Sequence, residues 1–414
     1  MVNFEDVFAE EIRKAGVQDR TREQGECATA EGRQCTLCHA HSLTYADESR
    51  LRDRALQTWW KLLGERVALE PLLLSQPGRG YRTVSKRRAF GSGRGTKIGL
   101  IETRSDGRAH AVPVLRCAVE PRTHAEVYRV VQSKLDKPYA SSLAAMLRHV
   151  VVKGGEDGLT VIFTVREIDH DVAHAMNTLS KSLTHELPAV GSVFLYHDDS
   201  STGTHYLGSR DPRRKPEFRK VFGKAELVER ACGMNFLYHP LAFTQVNPFV
   251  IDRFVTGIGD ALELRAEQFL YDLYCGYGLF ALCLAGRVKG VLGAELSNFS
   301  VDSAIANAAR MRASTVRFMR SDITPEAIQK IMSRSRSVDA VILDPPRNGT
   351  ADNVIDSIAS REPECIAHLF CNTDLLPTDV ERWKCNGYRI TRAIPFDMFP
   401  GTDDVEVMVV LRKA

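Results

Sequence analysis

YDLYCGYGLF, residues Tyr271–Phe280, is the stretch whose reading decides the fold. Phe269, Leu270 and Tyr271 end a buried strand, Asp272 follows, and Gly276 and Gly278 open into an apolar helix. Glycines at such a turn let the backbone bend tightly and approach a ligand closely. Asp272 falls at the carboxyl end of the strand, where open α/β sheets keep their ligand crevice. About twenty residues on, the strand Val291–Glu295 ends in Glu295, the place at which a carboxylate holds ribose hydroxyls. A G-x-G pair alone fits an ordinary strand-to-helix turn equally well. What decides is that the rest of the chain keeps delivering acids at strand ends.

From about residue 236 onward, strands and helices alternate at a spacing that predicts a doubly wound, mostly parallel sheet. Apolar runs around residues 315–319, 339–343 and 366–371 supply further strands, with helical patterns between them. The last two, 387–394 and 405–411, are joined by a short loop and are expected to pair antiparallel. The expected class is α/β: a Rossmann-like class I methyltransferase sheet with a terminal antiparallel hairpin, occupying residues 236–414. Residues 1–235 are expected to form an N-terminal mixed α/β accessory domain.

Composition narrows the function classes. The chain has 414 residues, 44% hydrophobic and 26% charged, ordinary for a folded protein with two or three cores. A net charge of +3 and a pI near 8.3 permit a polyanionic partner without requiring one. No apolar run approaches the roughly eighteen residues of a spanning helix, so no membrane partner is expected. The opening MVNFEDVFAEEIRKAG is too acidic for a secretory or transit peptide. Ten cysteines then suggest a reducing, cytoplasmic setting in which they serve as ligands, nucleophiles or packing. A monomer is expected.

Cys27, Cys35 and Cys38 crowd one short segment, with a two-residue gap between the last pair that lets both thiolates reach one metal. A fourth ligand is needed. Cys117 is the best candidate, with His39 and His41 as rivals. A set of surface thiols is the bland alternative, and spacing alone does not choose zinc over iron–sulfur. Beyond them, residues 48–63 have helical periodicity, placing Leu51, Ala55, Trp59 and Leu62 on one face, with Trp59 and Trp60 as core anchors. Arg79–Lys97 interleaves cations with Tyr81 and Phe90, which suits single-stranded RNA and suits a solvated hairpin face as well. No strand is expected before residue 97 in that stretch, and residues 141–150 are expected to be helical. A second basic cluster, Ser209–Lys220, lies on a proline-broken loop.

Three further pieces complete a site. DPPRNG (Asp344–Gly349) ends a strand with an acid and two stiffening prolines. Cys371 ends the next strand, and Glu406 begins the last one after a loop rich in turn formers. Taken singly, Cys371 fits a buried strand cysteine, Glu406 a strand-edge acid and Asp322 a turn former. Cys275, inside the glycine turn, is expected only to pack.

Jointly, the motifs resemble those of the RNA 5-methyluridine methyltransferases, which use S-adenosylmethionine to methylate uracil in tRNA or rRNA. They stand here as FTQVN (Phe243–Asn247), DLYCGYG (Asp272–Gly278), GAE (Gly293–Glu295), Ser321-Asp322, DPPRNG, Cys371-Asn372 and DMFPGTDDVE (Asp397–Glu406). The resemblance covers essentially the whole chain. It implies Cys371 as nucleophile and Glu406 as general base. It further implies Gln245, Tyr274, Glu295, Asp322 and Asp344 around S-adenosylmethionine, with Phe243 and Gln245 beside a flipped base. It also implies a [4Fe–4S] cluster on Cys27, Cys35, Cys38 and Cys117, whose gaps look like the family's 23S rRNA branch, and no small N-terminal RNA-binding barrel. rRNA is the expected substrate and tRNA the runner-up. Several positions depart from the family pattern. Thr244 replaces the second aromatic, Phe370 a serine, Leu375 a threonine and Asp404 a histidine, while Asp379 keeps its place. These departures leave nucleophile and base intact, bear on base positioning, and keep a non-catalytic RNA-binding assembly factor as a rival.

Overall fold

A computed structural model describes residues 2–16, 25–27, 35, 37–92, 95–103, 109–155, 158–200, 217–333 and 339–414. The chain divides into two units, one of Met1–Asp19, Tyr45–Gln76 and Val228–Ala414, the other of Arg20–Thr44 and Pro77–Leu227.

The first unit is built on seven strands: β1 (Phe269–Leu273), β2 (Gly290–Glu295), β3 (Val316–Arg320), β4 (Ala340–Leu343), β5 (Cys365–Phe370), β6 (Tyr388–Phe396) and β7 (Glu406–Lys413). They are ordered β3-β2-β1-β4-β5-β7-β6. The first five run parallel, and β7 inserts antiparallel between β5 and β6. β4 and β5 are buried along their whole length, so they read as unbroken apolar runs, as central parallel strands do. Helices between the strands begin where the sequence supplies caps. Thr324 Oγ1 accepts from the Ala327 N–H at 3.2 Å ahead of Pro325, and Asn247 accepts from Phe249 ahead of Pro248.

A single cut after residue 235 does not describe this division. Residues 45–76 belong with the sheet unit, and the reason is visible at its border. β6 is an edge strand, and residues 69–73 run beside it with bridges from Leu69 to Ala393 and Leu73 to Phe396. Glu70 N–H donates to the Ala393 carbonyl and Leu73 N–H to that of Pro395, each at 2.9 Å. The helix Tyr45–Leu62 buries Leu51, Ala55, Trp59 and Trp60, while Leu62 is exposed instead of joining that face. Both tryptophans are core residues: Trp59 Nε1 reaches the Val2 carbonyl and Trp60 Nε1 that of Val67.

The second unit carries a seven-stranded sheet in the order 109–112, 95–103, 84–92, 147–155, 158–165, 190–197, 218–223. Only the 158–165 and 190–197 pair is parallel, crossed over by the helix His170–Glu186. Val84–Ser92 is a strand where none was expected, and Leu147–Gly155 is a strand where the helical pattern was carried too far. In the first, cations hide the alternation: Arg87 is fully buried, its guanidinium doubly bonded to the Glu120 carboxylate at 2.8 and 2.9 Å and lying over Tyr128. Tyr81 is buried too, so neither side chain is available to stack on RNA. In the second, three consecutive valines belong to a strand buried on both faces, which erases the two-residue period. Most of the second basic cluster, 209–216, lies outside the described residues; its end begins the strand Phe218–Gly223.

Candidate active site

The glycine turn after β1 is held in left-handed backbone. Tyr274 has φ 66°, Gly276 φ 55° and Gly278 φ 89°. A β-carbon on Gly278 would stand 2.7 Å from the Phe318 ring, and one on Gly293 2.5 Å from the same ring. These two glycines therefore set the close packing of the turn on β2 and β3. Asp272 is fully buried beneath the turn, where Oδ2 accepts the Ala281 N–H at 3.0 Å and Oδ1 finds no hydrogen-bond partner among the described residues.

Glu295, at the end of β2, faces the turn. Its carboxylate accepts from Gly276 N–H at 3.2 Å and Ser297 N–H at 2.7 Å. Tyr274 stands close enough to feel Asp322 and Glu295, which add to burial in pushing its hydroxyl up to about 12. Asp344, after β4, is partly buried, and burial with the Glu295 charge holds its carboxyl up to about 7. Tyr274, Glu295, Asp322 and Asp344 thus gather across the carboxyl ends of β1 to β4. Asp322 is the exposed member. Gln245 lies on the turn ahead of the helix Pro248–Ala261, partly buried, with no side-chain hydrogen bond among the described residues. That turn is anchored by buried Asn247, whose Nδ2 donates to Ser75 Oγ at 3.0 Å and the Met398 carbonyl at 3.2 Å. Phe243, on the same turn, is 69% exposed.

On the other side of β4, the antiparallel register pairs Phe370 with Val407, so the next step brings Cys371 opposite Glu406. Cys371 is partly buried, and its thiol is pushed up to about 12 by burial, then Glu406 and Asp344, with Arg347 opposing. Glu406 is 4% exposed; burial first and Asp344 second hold its carboxyl well above the usual range. Cys371, Glu406 and Asp344 therefore share one charged neighbourhood, in which Arg347 opposes the acids at Cys371 and Glu406. The sequence reading assigned Arg347 no role; a lone arginine three residues after Asp344 in the DPPRNG motif was the available signal. Its guanidinium is paired with Asp404, and its carbonyl accepts from Asn372 Nδ2 at 3.1 Å.

Asp344 gives a pH test of this crowding. A carboxyl raised from 3.8 to about 7 favours the fold while protonated, and that contribution is lost as pH rises from about 4 through 7. Asp344→Asn is expected to match the wild-type melting temperature near pH 4 and to exceed it from pH 7 upward. Thermal melts across that range check the sign.

The cysteines near the amino terminus gather in the second unit. Cys38 is pushed up to about 12 by burial, with Cys27 and Cys35 adding like charge. Burial, then Glu120 and Cys38, raise Cys117. Burial, then Cys27, raise Cys35. The four thiols share one electrostatic neighbourhood, and all are free of disulfides. Among the described residues, though, no three His, Cys, Asp or Glu side chains are closed into a metal-holding group. The rival ligand His41 already directs Nδ1 to the Cys38 carbonyl. Cys275 is buried and packs, as expected. No helix among the described residues is long and apolar enough to cross a membrane.

Sheet order, glycine turn and acids at the strand ends are those of a class I methyltransferase fold. Comparison with known proteins narrows this. The sequence model of the tRNA (Uracil-5-)-methyltransferase family matches residues 215–414. An uncharacterized RNA methyltransferase of Clostridium tetani is 23% identical over 384 residues, covering 91% of this chain and 80% of its own. One from Thermotoga maritima is 26% identical over 388 residues, covering 92% and 83%. Among solved structures, the Pyrococcus abyssi tRNA (uracil-54, C5)-methyltransferase in complex with S-adenosyl-L-homocysteine shares the fold, with TM-score 0.65 at 22% identity over 89% of this chain and 84% of that one. Residues 215–414 thus match the RNA uracil-5-methyltransferase family, and the relatives compared over most of the chain carry the name RNA methyltransferase.

Proposed function

We propose that this enzyme methylates carbon 5 of a specific uridine in 23S-type ribosomal RNA through a covalent bond between Cys371 and the base. The observation that carries the reading is the β5–β7 register, which supports Cys371 and Glu406 acting on one ring. Carbon 5 of uracil is too weak a nucleophile to take a methyl group unaided. Cys371, as thiolate, adds to carbon 6 and gives carbon 5 enolate character. S-adenosylmethionine, when bound, supplies the activated methyl group. Glu406 removes the carbon 5 proton; that C–H pair restores the ring double bond and expels the Cys371 thiolate. Asp344, Glu295, Tyr274, Asp322 and Gln245 would hold the cofactor, with Glu295 at the ribose. Phe243 stacks on the substrate. A paired base cannot reach a crevice of this kind, so the target is a loop or an extruded nucleotide.

A tRNA substrate is the second reading, favoured by the names of the matching family and of the Pyrococcus protein. Methyl-labelled cofactor incubated with RNA from cells lacking the protein separates the two by the size of the labelled RNA. Absence of 5-methyluridine from both classes overturns the reading.

Cys27, Cys35, Cys38 and Cys117 would hold a [4Fe–4S] cluster, supported by their all-sulfur donor set and shared neighbourhood. Such a cluster would brace the second unit, its ligands bound as thiolates with their protons released. Protein purified without oxygen is expected to carry iron and sulfide, about four of each per chain. One zinc per chain without sulfide overturns the assignment.

A further inference from the structure

The loop 397–405 that delivers Glu406 to β7 is fastened by a buried charge cluster on the helix Tyr45–Leu62. Arg52 is 0% exposed, and its guanidinium donates to two backbone carbonyls of the loop: Nη1 to Asp404 at 2.6 Å and Nη2 to Thr402. Nη2 also meets Glu48 Oε1 at 2.8 Å, and Nη1 lies 3.7 Å from Asp397 Oδ1. Glu48 in turn accepts the Gly401 N–H at 2.6 Å, and Tyr45 donates its hydroxyl to Asp397 Oδ2 at 2.7 Å. The loop's start, middle and end are all held from this one helix, and Asp404 is two residues from Glu406.

We infer that Arg52, with Glu48, is a positioning residue that sets Glu406 for proton removal from carbon 5. This rests on the reading of Glu406 as the base. The helix does not need a cation there: an apolar side chain of similar volume packs as well or better than a buried ion pair. What an apolar residue cannot supply is a planar fork donating to Asp404 and Thr402 together, and lysine cannot supply it either. The arrangement fixes the loop's backbone immediately ahead of the base, where a displacement near 1 Å is costly. It touches neither Cys371 nor the acids after β1 to β4, so the step affected is the last one. That step breaks the carbon 5–hydrogen bond, gives the proton to Glu406, re-forms the carbon 5–carbon 6 double bond and releases the Cys371 thiolate.

The test compares Arg52→Lys, Glu48→Gln and Glu406→Gln in the full chain. The probes are RNA from cells lacking the protein and the same RNA from cells grown with 5-fluorouracil. Arg52→Lys is expected to lower kcat about 100-fold with KM for cofactor within about twofold. Its adduct with 5-fluorouridine RNA should form at the wild-type rate, because fluorine leaves no proton to remove. On unsubstituted RNA it should accumulate an SDS-stable, cofactor-dependent protein–RNA adduct, as Glu406→Gln should, and Glu48→Gln should do so more weakly. Wild-type turnover in Arg52→Lys overturns the proposal. So does parallel loss of cofactor binding and of the 5-fluorouridine adduct, the pattern of a merely structural role. An adduct in Glu406→Gln but not in Arg52→Lys overturns the positioning role alone. Its absence in both overturns the base assignment beneath it.

Discussion

Cys371→Ala is expected to lower methyl incorporation into RNA by at least about 10⁴-fold, the scale on which loss of a nucleophile acts. Cofactor affinity should stay within about twofold, since this side chain lies past β4 from the glycine turn. The expected loss is large because no other cysteine among the described residues of this sheet unit is placed to saturate the ring. Cys275 is buried under the turn, and Cys365 lies at the far end of the same strand. The variant should also form no adduct with 5-fluorouridine RNA. The thiol's environment sets a pH dependence for the wild-type enzyme. Burial, Glu406 and Asp344 all favour the neutral thiol, so the rate of adduct formation should rise with pH as the thiolate fraction grows. Arg347 pulls the other way. Quench-flow measurement of adduct formation against pH checks this, and a rate that falls with rising pH would contradict the thiolate mechanism.

Glu406→Gln is expected to stop the reaction one step later. Methyl transfer should proceed once per enzyme, and the methylated base should remain on Cys371 because glutamine cannot accept the carbon 5 proton. Steady-state turnover should fall about 10²–10⁴-fold, the range for loss of a general base. The burst of methyl transfer should approach one per active site. The acid must be ionised to act, and burial with Asp344 raises the pH at which it ionises. The wild-type turnover profile should therefore climb above the ordinary carboxylate range, and that limb should be missing in the glutamine variant. Denaturing gels with labelled cofactor read the trapped species directly. Undiminished turnover in this variant would remove Glu406 from the mechanism.

Much of the catalytic sheet is legible in the sequence because it is locally consistent. Tyr271, Asp272, Gly276 and Gly278 announce a strand, an acid and a tight turn in order, and β4 and β5 announce themselves as apolar runs. The pairing of Cys371 with Glu406 needs more than the closing hairpin: it depends on β7, not β6, lying beside β5, which no local pattern announces. What escapes is whatever depends on a partner distant in sequence. Arg87 sits in a run of cations that resembles a solvated face, and only the position of Glu120, 33 residues on, reveals a buried pair. Arg52 lies in a helix rich in charge, and its acceptors at 402 and 404 are some 350 residues away. Nothing local distinguishes it from Arg50, which makes an exposed contact with Asp47. Leu147–Gly155 fails for a different reason: a strand covered on both faces loses the alternation that separates it from helix.

The strip of chain that accompanies β6 has a meaning for inheritance. Hydrogen bonds from residues 70 and 73 close a border that would otherwise template the addition of foreign strands. A recombination event that carried off the sheet without its leading segment would deliver a protein prone to clumping.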